Sequence, residues 1–288
     1  MEGFYFIGIS SSLSSGKFFI LMIINRKSIK MKKLLLPLIL FPLLGFSQYA
    51  TADFIVLNEG SEEDYHKLEK VWRVYHQKSI DAGEKSGWAV WKRTPKDDDG
   101  ELAADYVVFN QFTSEEQMEN WMNNFDLKKA ISEMKNGLKG KMSSRAINKI
   151  IENGPNIKKQ VRIYTIEMLD ATPWSKDIIK IGDKMTFAPM IQTTEDYEQV
   201  ESNIYKPHIL KQVENGKHKW WGFTKVIDRN ENAYEQISHI TWNIPVEGAK
   251  FSDYFVENDF ITKVLSDKVG SSRQMMNSQE LTLVYQND

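Results

Sequence analysis

The sequence predicts an α+β protein built from two tandem βαββαβ units, and three observations carry that prediction. The stretch "EDYHKLEKVWRVYH" from Glu63 returns as "EDYEQVESNIYKPH" from Glu195. Asp64 and Asp196 lie 196 − 64 = 132 residues apart, and the same offset pairs Glu69 with Glu201, His76 with His208, Lys85 with Lys217 and Trp88 with Trp220. Patterning agrees too, with "GWAVWK" opposite "KWWGFT" and "YVVFNQF" opposite "SHITWNI". Similarity at one gapless offset over about fifty residues reads as a duplication.

Each copy opens on an apolar strand, "DFIVLN" or "MTFAPMIQ". A helix follows, with Ser61 or Thr193–Thr194 as N-cap candidates and acids in its first turn. Two strands joined by a polar turn come next, "GWAVWKR" and "DYVVFNQF" in one copy, "KWWGFTKV" and "SHITWNI" in the other. A second helical region begins at "SEEQMENWMNNF" or spans "AKFSDYFVENDFITKVL", and a last strand reads "QVRIYTIEML" or "ELTLVYQN". In the first copy, Asn123-Asn124, Gly137 and Gly140 should break that helical region into pieces. The order βαββαβ is a ferredoxin-like unit. The first unit occupies 48–170 and the second 171–288, with "DATPWSKDIIKI" as the linker.

Residues 1–47 are read as a leader. Met31, Lys32 and Lys33 start it, Leu34 to Phe46 is apolar, and Gly45-Phe46-Ser47 forms a small-residue exit, so 31–47 has the layout of a signal peptide. A run that short does not reach the ~20 residues of a spanning helix, so no stable membrane anchor is expected. The residues before Met31 carry another apolar run, "FFILMII", read as a start assigned too early or else as part of a hairpin of two short membrane segments. The expected location is periplasmic or secreted. Without the leader, 37 − 6 = 31 basic and 39 − 1 = 38 acidic residues leave a net charge of −7, which argues against nucleic acid as a partner. The absence of Cys removes thiol catalysis and thiolate metal sites.

The strands explain why two copies are needed. Trp88 and Val90 point one way and Ala89 and Trp91 the other; Trp220 takes one face, Trp221 and Phe223 the opposite one. Neither face suits water, so one should pack on its own helices and the other on the second copy's sheet, face to face. In element order, duplication and two-faced aromatic strands, residues from Ala50 to Asn287 resemble the dimeric α+β barrel superfamily, which includes antibiotic-biosynthesis-monooxygenase-like, EthD-like and NIPSNAP-like proteins. The resemblance implies a single-chain α+β barrel, monomeric because the dimer-like contact is internal. Members range over cofactor-independent oxygenases, haem-degrading or haem-binding proteins, isomerases and proteins without known activity. Haem-degrading members use an Asn, a Trp and a His between sheet and helices; Asn58, Trp88 and His76 are of those types, though no motif fixes their alignment.

Around a regular helix, positions i, i+4 and i+11 fall at about 0°, 40° and 20°. Tyr65, Glu69 and His76 therefore share one stripe, as do Tyr197, Glu201 and His208, and Leu68 and Trp72 mark the first stripe as inward. Buried Glu and His need partners. They either line a pocket with Trp88 and Trp220, or are core hydrogen-bonding groups retained for packing. About 10.5 Å separates the Glu and His of one stripe, too far to share a metal ion. Pro207 should kink or restart the second helix, leaving one of two diverged pockets functional. His239, Thr241 and Asn243 alternate on a strand and form a further polar patch. Asp97, Asp98 and Asp99 fail the calcium-loop spacing and read as a hairpin tip. The sequence has no phosphate loop, dinucleotide fingerprint, nucleophile elbow or zinc-protease helix. The expectation is an exported protein binding a small apolar or aromatic ligand. The alternatives are a cofactor-independent oxygenase or haem-handling enzyme, haem being the cofactor the resemblance admits, and an interaction domain without pocket chemistry.

Overall fold

A computed structural model describes residues 48–174, 178–249 and 260–287. The leader expected at 1–47 and the start of the second copy's second helical region, 250–259, lie outside the described residues.

The first half supplies β1 (Tyr49–Leu57), α1 (Glu62–Asp81), β2 (Gly87–Arg93) and β3 (Tyr106–Phe112). Then come α2 (Glu115–Asn123), α3 (Leu127–Gly137), α4 (Ser144–Ile157) and β4 (Lys158–Ala171). The breaks fall where the sequence places them, at Asn123-Asn124 and at Gly137, with Gly140 in the left-handed region at φ 81°. Ser114, Asp126 and Ser143 cap the three pieces by accepting backbone N–H groups. The expected cap at Ser61 makes no side-chain bond, and the first turn of α1 relies on Glu62, Glu63 and Asp64 at the positive helix end.

The second half supplies β5 (Lys184–Gln192), β6 (His218–Arg229), β7 (His239–Pro245), α7 (Phe260–Ser271), β8 (Arg273–Met275) and β9 (Gln279–Asn287). Its first helix is not regular. A short α5 (Tyr197–Val200) passes into a π-helical turn, Glu201–Tyr205, and then into α6 (Lys206–Glu214). Asp196, not Thr193 or Thr194, stands at its N-cap. The Lys206 N–H reaches back to the Glu201 carbonyl, which spans five residues. Pro207 has no N–H to give the carbonyl four residues back, and a π turn skips that missing bond.

That turn inserts one residue, which corrects the gapless offset. Gly83 and Gly216 end the two helices with φ of 72° and 69°, and they are 216 − 83 = 133 apart. The helix-end bonds Glu84 N–H to Ser79 O and Lys217 N–H to Gln212 O repeat at 217 − 84 = 133. The structural counterpart of Trp88 is therefore Trp221, and the counterparts of His76 and Lys85 are Ile209 and His218.

Each half forms a four-stranded antiparallel sheet, β4-β1-β3-β2 and β9-β5-β7-β6. The sheets join edge to edge, β2 to β9 and β4 to β6, closing an eight-stranded barrel with β8 beside β5. The two expected sheets are thus one continuous ring whose inner faces meet across the barrel, because closure leaves no unpaired strand edges. Phe54, Trp91, Phe109, Phe187, Trp242 and Leu283 fill the interior. Outside, Trp88, Val90, Tyr106 and Val108 pack under α1 and α4, and Trp221 and Phe223 pack under the α5–α6 helix. Both strand faces are buried, as the aromatic pattern demands. The 97–99 tip holds Asp99 in a two-pronged contact with Arg93, at 2.7 and 3.0 Å.

Candidate functional site

Beneath α1, the first half gathers a chain of polar side chains inside an apolar layer. Lys85 follows the Gly83 turn and runs inward until it is 2% exposed. Its Nζ lies 3.1 Å from His76 Nδ1 and donates to Asn110 Oδ1 at 2.6 Å. Asn110 Nδ2 donates in turn to Thr51 Oγ1 at 3.0 Å. His76 stacks on Trp88, with centroids 4.9 Å apart and planes 19° apart. Burial brings the Lys85 ammonium down to about 7, with Asp53 opposing. Burial, then Lys85, holds His76 well below its usual range, so the ring is neutral. Burial also pushes the Asp53 carboxyl up to about 6.

An open cleft of about 420 Å³ adjoins this cluster, lined among others by Tyr75, Gly83, Glu84, Trp121, Phe125 and Asp126. Its wall is formed in part by sequence neighbours of the cluster. Gly83 and Glu84 precede Lys85, Tyr75 precedes His76, and the Lys85 Nζ sits 4.3 Å from the centre of the Trp121 ring. Trp121 thus separates the cleft from the buried amine. Phe125 packs edge-on against Tyr75, with centroids 6.1 Å apart, and the two rings give the cleft an aromatic side.

The second half is built differently. Glu201, fully buried at the start of the π turn, pairs with Arg273 Nη1 from β8. The Arg273 guanidinium lies 5.2 Å from the Tyr205 ring centre and 5.9 Å from that of Tyr197. Burial pushes the Glu201 carboxyl up to about 7 against the pull of Arg273. His239 stacks on Phe223 at 5.2 Å, its Nδ1 3.0 Å from Ser238 Oγ and its Nε2 3.3 Å from Glu198 Oε1. Burial lowers its pKa while Glu198 opposes.

The expected residues therefore separate. Tyr65, Glu69, His76 and Trp88 lie inward beneath α1, and burial raises both the Tyr65 hydroxyl and the Glu69 carboxyl. Tyr197, Glu201 and His239 are buried in the second layer. His208 is a correction: the extra residue of the π turn rotates it off the stripe, it is half-buried, and Ile209 takes the inward place. Trp220 is another: it points into the barrel, 5.3 Å from Trp174 and tight against Gly222, where an added Cβ would meet its ring at 2.3 Å. Asn58 is exposed and donates to the Asn156 carbonyl at 2.8 Å, away from Trp88 and His76. The sequence reading omitted Thr51, Asp53, Lys85, Asn110 and Trp121 as site residues. The available signal was a polar Asn110 interrupting an otherwise apolar run in "YVVFNQF".

Three of the histidines give haem little to bind. His66 has a tyrosine hydroxyl at each ring nitrogen, 2.9 Å to Tyr285 and 3.0 Å to Tyr106, and His239 also has both nitrogens engaged. His76 uses Nδ1 toward Lys85 while its ring face lies on Trp88. An axial ligand needs a ring nitrogen aimed into an open cavity, which none of these three offers. Among the described residues, no cluster of three or more acidic or imidazole side chains is placed to hold a metal ion.

No protein-family model matches the chain, and no curated protein sequence matches it. Solved structures do. A monooxygenase-like protein from Fusobacterium nucleatum subsp. nucleatum is 12% identical with a TM-score of 0.50, over 83% of this chain and 93% of that one. A monooxygenase-like protein from Lactobacillus acidophilus is 10% identical with a TM-score of 0.49, over 83% and 94%. An anthrone oxidase-like protein is 14% identical with a TM-score of 0.48, over 84% and 93%. At such identities the likeness concerns the fold alone. The closed antiparallel ring of two βαββαβ halves, with the likeness at a TM-score of 0.50, gives the chain the dimeric α+β barrel fold, both halves being supplied by one polypeptide.

Proposed function

We propose that this is an exported protein that binds a small planar aromatic ligand in the first-half cleft, above the Lys85–His76–Asn110 cluster, as a single chain. The observation that carries the reading is the placement of Trp121, which walls the cleft on one side and covers a buried amine on the other. A buried ammonium is costly. The second half keeps the same fold with Ile209 and His218 in the corresponding places, so the fold does not require Lys85. The aromatic side of the cleft suits a flat apolar ring, and the exposed Phe125 gives it an open face.

The test uses 2-naphthalenemethanol as a probe, followed by quenching of intrinsic tryptophan fluorescence. Saturable one-to-one binding that Trp121→Ala weakens about tenfold supports the reading, a loss in line with the ~1–3 kcal/mol worth of an aromatic stacking contact. Absence of saturable binding to the wild-type chain refutes it. Export carries its own test. Protein recovered from its natural host should begin within a few residues of Gln48, and an intact 1–47 segment would contradict that part. No described helix is long and apolar enough to cross a membrane.

A cofactor-independent oxygenase is the second reading. The Lys85 amine, brought to about 7 beside a neutral imidazole, is suited to take a proton from a weakly acidic aromatic substrate. A fold neighbour described as monooxygenase-like agrees with it. Oxygen uptake with anthrone, measured without added cofactor and abolished by Lys85→Met, would favour this reading over binding alone.

A further inference from the structure

We propose that Lys85 is an imine-forming lysine, which captures an aldehyde or ketone carried by an aromatic ligand in the first-half cleft. The inference rests on the cleft being a ligand site and adds the group that reacts there.

Three features of the geometry point to it. The amine sits one aromatic ring behind the cleft, at 4.3 Å from the Trp121 ring centre, with cleft-lining Gly83 and Glu84 immediately before it in the chain. Its polar partners number two, His76 Nδ1 and Asn110 Oδ1. A neutral amine has two N–H bonds, so these partners occupy both and leave the lone pair as the remaining tetrahedral direction. Trp121 stands between the cleft and the amine, so capture requires its ring to swing aside, and it is carried on a nine-residue helix that buries only Met118, one of the more lightly held elements of the first half.

The chemistry closes with groups already present. The Nζ lone pair forms a bond to the carbonyl carbon as the carbonyl π pair moves onto oxygen, and His76 Nδ1 receives one proton from the nitrogen and passes it to that oxygen to give a carbinolamine. His76 Nδ1 then receives the second proton from the nitrogen and passes it to the departing hydroxyl. The C–O bond breaks, water leaves, and a carbon–nitrogen double bond remains, with no oxidant or reductant involved. Burial supports the role by lowering the amine to about 7. Such an amine offers a substantial unprotonated share at neutral pH, whereas a lysine in water offers only about one part in 2,500. The titratable groups that face it are His76 from α1, Asp53 from β1 and Glu84 from its own turn. His76 lowers it no further while neutral, and the two carboxylates oppose the shift.

Two ligands of one shape test the inference, 2-naphthaldehyde and 2-naphthalenemethanol, with sodium cyanoborohydride to fix any imine and mass spectrometry to locate it. The expected result is one adduct per chain on Lys85, formed at pH 7 at least about tenfold faster than on any other lysine, with a rate that rises through pH 6–8. Lys85→Arg keeps the charge and Lys85→Met keeps the bulk; both should abolish the adduct while circular dichroism shows the fold retained. Adducts scattered over surface lysines, or an undiminished yield in both variants, would overturn the proposal. If the alcohol binds but the aldehyde leaves no adduct, imine formation fails and the cleft reading stands. If neither binds, both fall.

Discussion

The two halves share a fold and differ in what they bury. Beneath α1 lies a buried cation between an imidazole and an amide; beneath the α5–α6 helix lies a buried carboxylate held by Arg273. Lys92 and Lys225 occupy counterpart strand positions and each pairs with a helix glutamate, Glu62 at 2.5 Å and Glu198 at 2.8 Å, though the two glutamates are not counterparts. The layer between helix and sheet, where polar burial costs most, differs in kind between the halves. Features that survive in both halves are those the barrel needs, and His76 and Lys85 are replaced by Ile209 and His218 at the corresponding positions of the second half. That contrast is the physical case for placing function in the first half.

The strongest way to break the comparison is through the paired tryptophans. Trp88 is 1% exposed and Trp221 is not exposed at all. If they are counterparts with a shared packing role, Trp88→Ala and Trp221→Ala should each cost about 3–5 kcal/mol in urea unfolding. Retention of full stability in either variant would mean that the halves do not use these positions alike.

The next test addresses the inserted residue. Deleting Asn203 from the π turn restores a regular helix, but it then places Pro207 opposite the carbonyl four residues back. The deletion should cost about 3 kcal/mol or more, and adding Pro207→Ala should recover most of it. A deletion variant as stable as wild type would show that the turn has no role in accommodating Pro207.

The same turn shows what the sequence made legible and where it misled. The strands β2 and β3 were readable because aromatic residues on both faces leave few alternatives to a sheet covered on both sides. The breaks after Asn123 and Gly137 were readable because local chemistry sets them. The extra residue was not, because His208, Lys217 and Trp220 happen to repeat the residue types at the gapless offset after the insertion. Identity at those positions masked a shift that only the helix-end glycines and the strand register reveal. Edge-to-edge closure was equally hidden, since backbone hydrogen bonding between β2 and β9 leaves no residue signature. The cluster itself joins Lys85 from a loop, His76 from a helix and Asn110 from a strand. Each alone looks like an ordinary polar residue, and their meeting is a property of the long-range fold.

The finest test reads the two buried charges through the pH dependence of stability. Lys85 has a folded pKa near 7, below its unfolded value, so between about pH 7 and 10 the unfolded chain binds more protons. Its contribution therefore makes stability rise with pH in that window, by at most about 1.4 kcal/mol per unit. Glu201 is raised to about 7, so between roughly pH 4.5 and 7 the folded chain holds the extra proton. Its contribution makes stability fall as pH rises there, with full effect below the unfolded pKa and loss through the folded one. Lys85→Met should remove the rise above pH 7 and also move the acid limb, because Lys85 opposes the burial that raises Asp53. Glu201→Gln should reduce the fall below pH 7, leaving the part that Asp53 and Glu69 contribute, and keep the alkaline rise intact. Urea midpoints from pH 4.5 to 9.5 for wild type and the two variants would show this, and loss of the alkaline rise in Glu201→Gln would show that the two buried sites are coupled through the barrel.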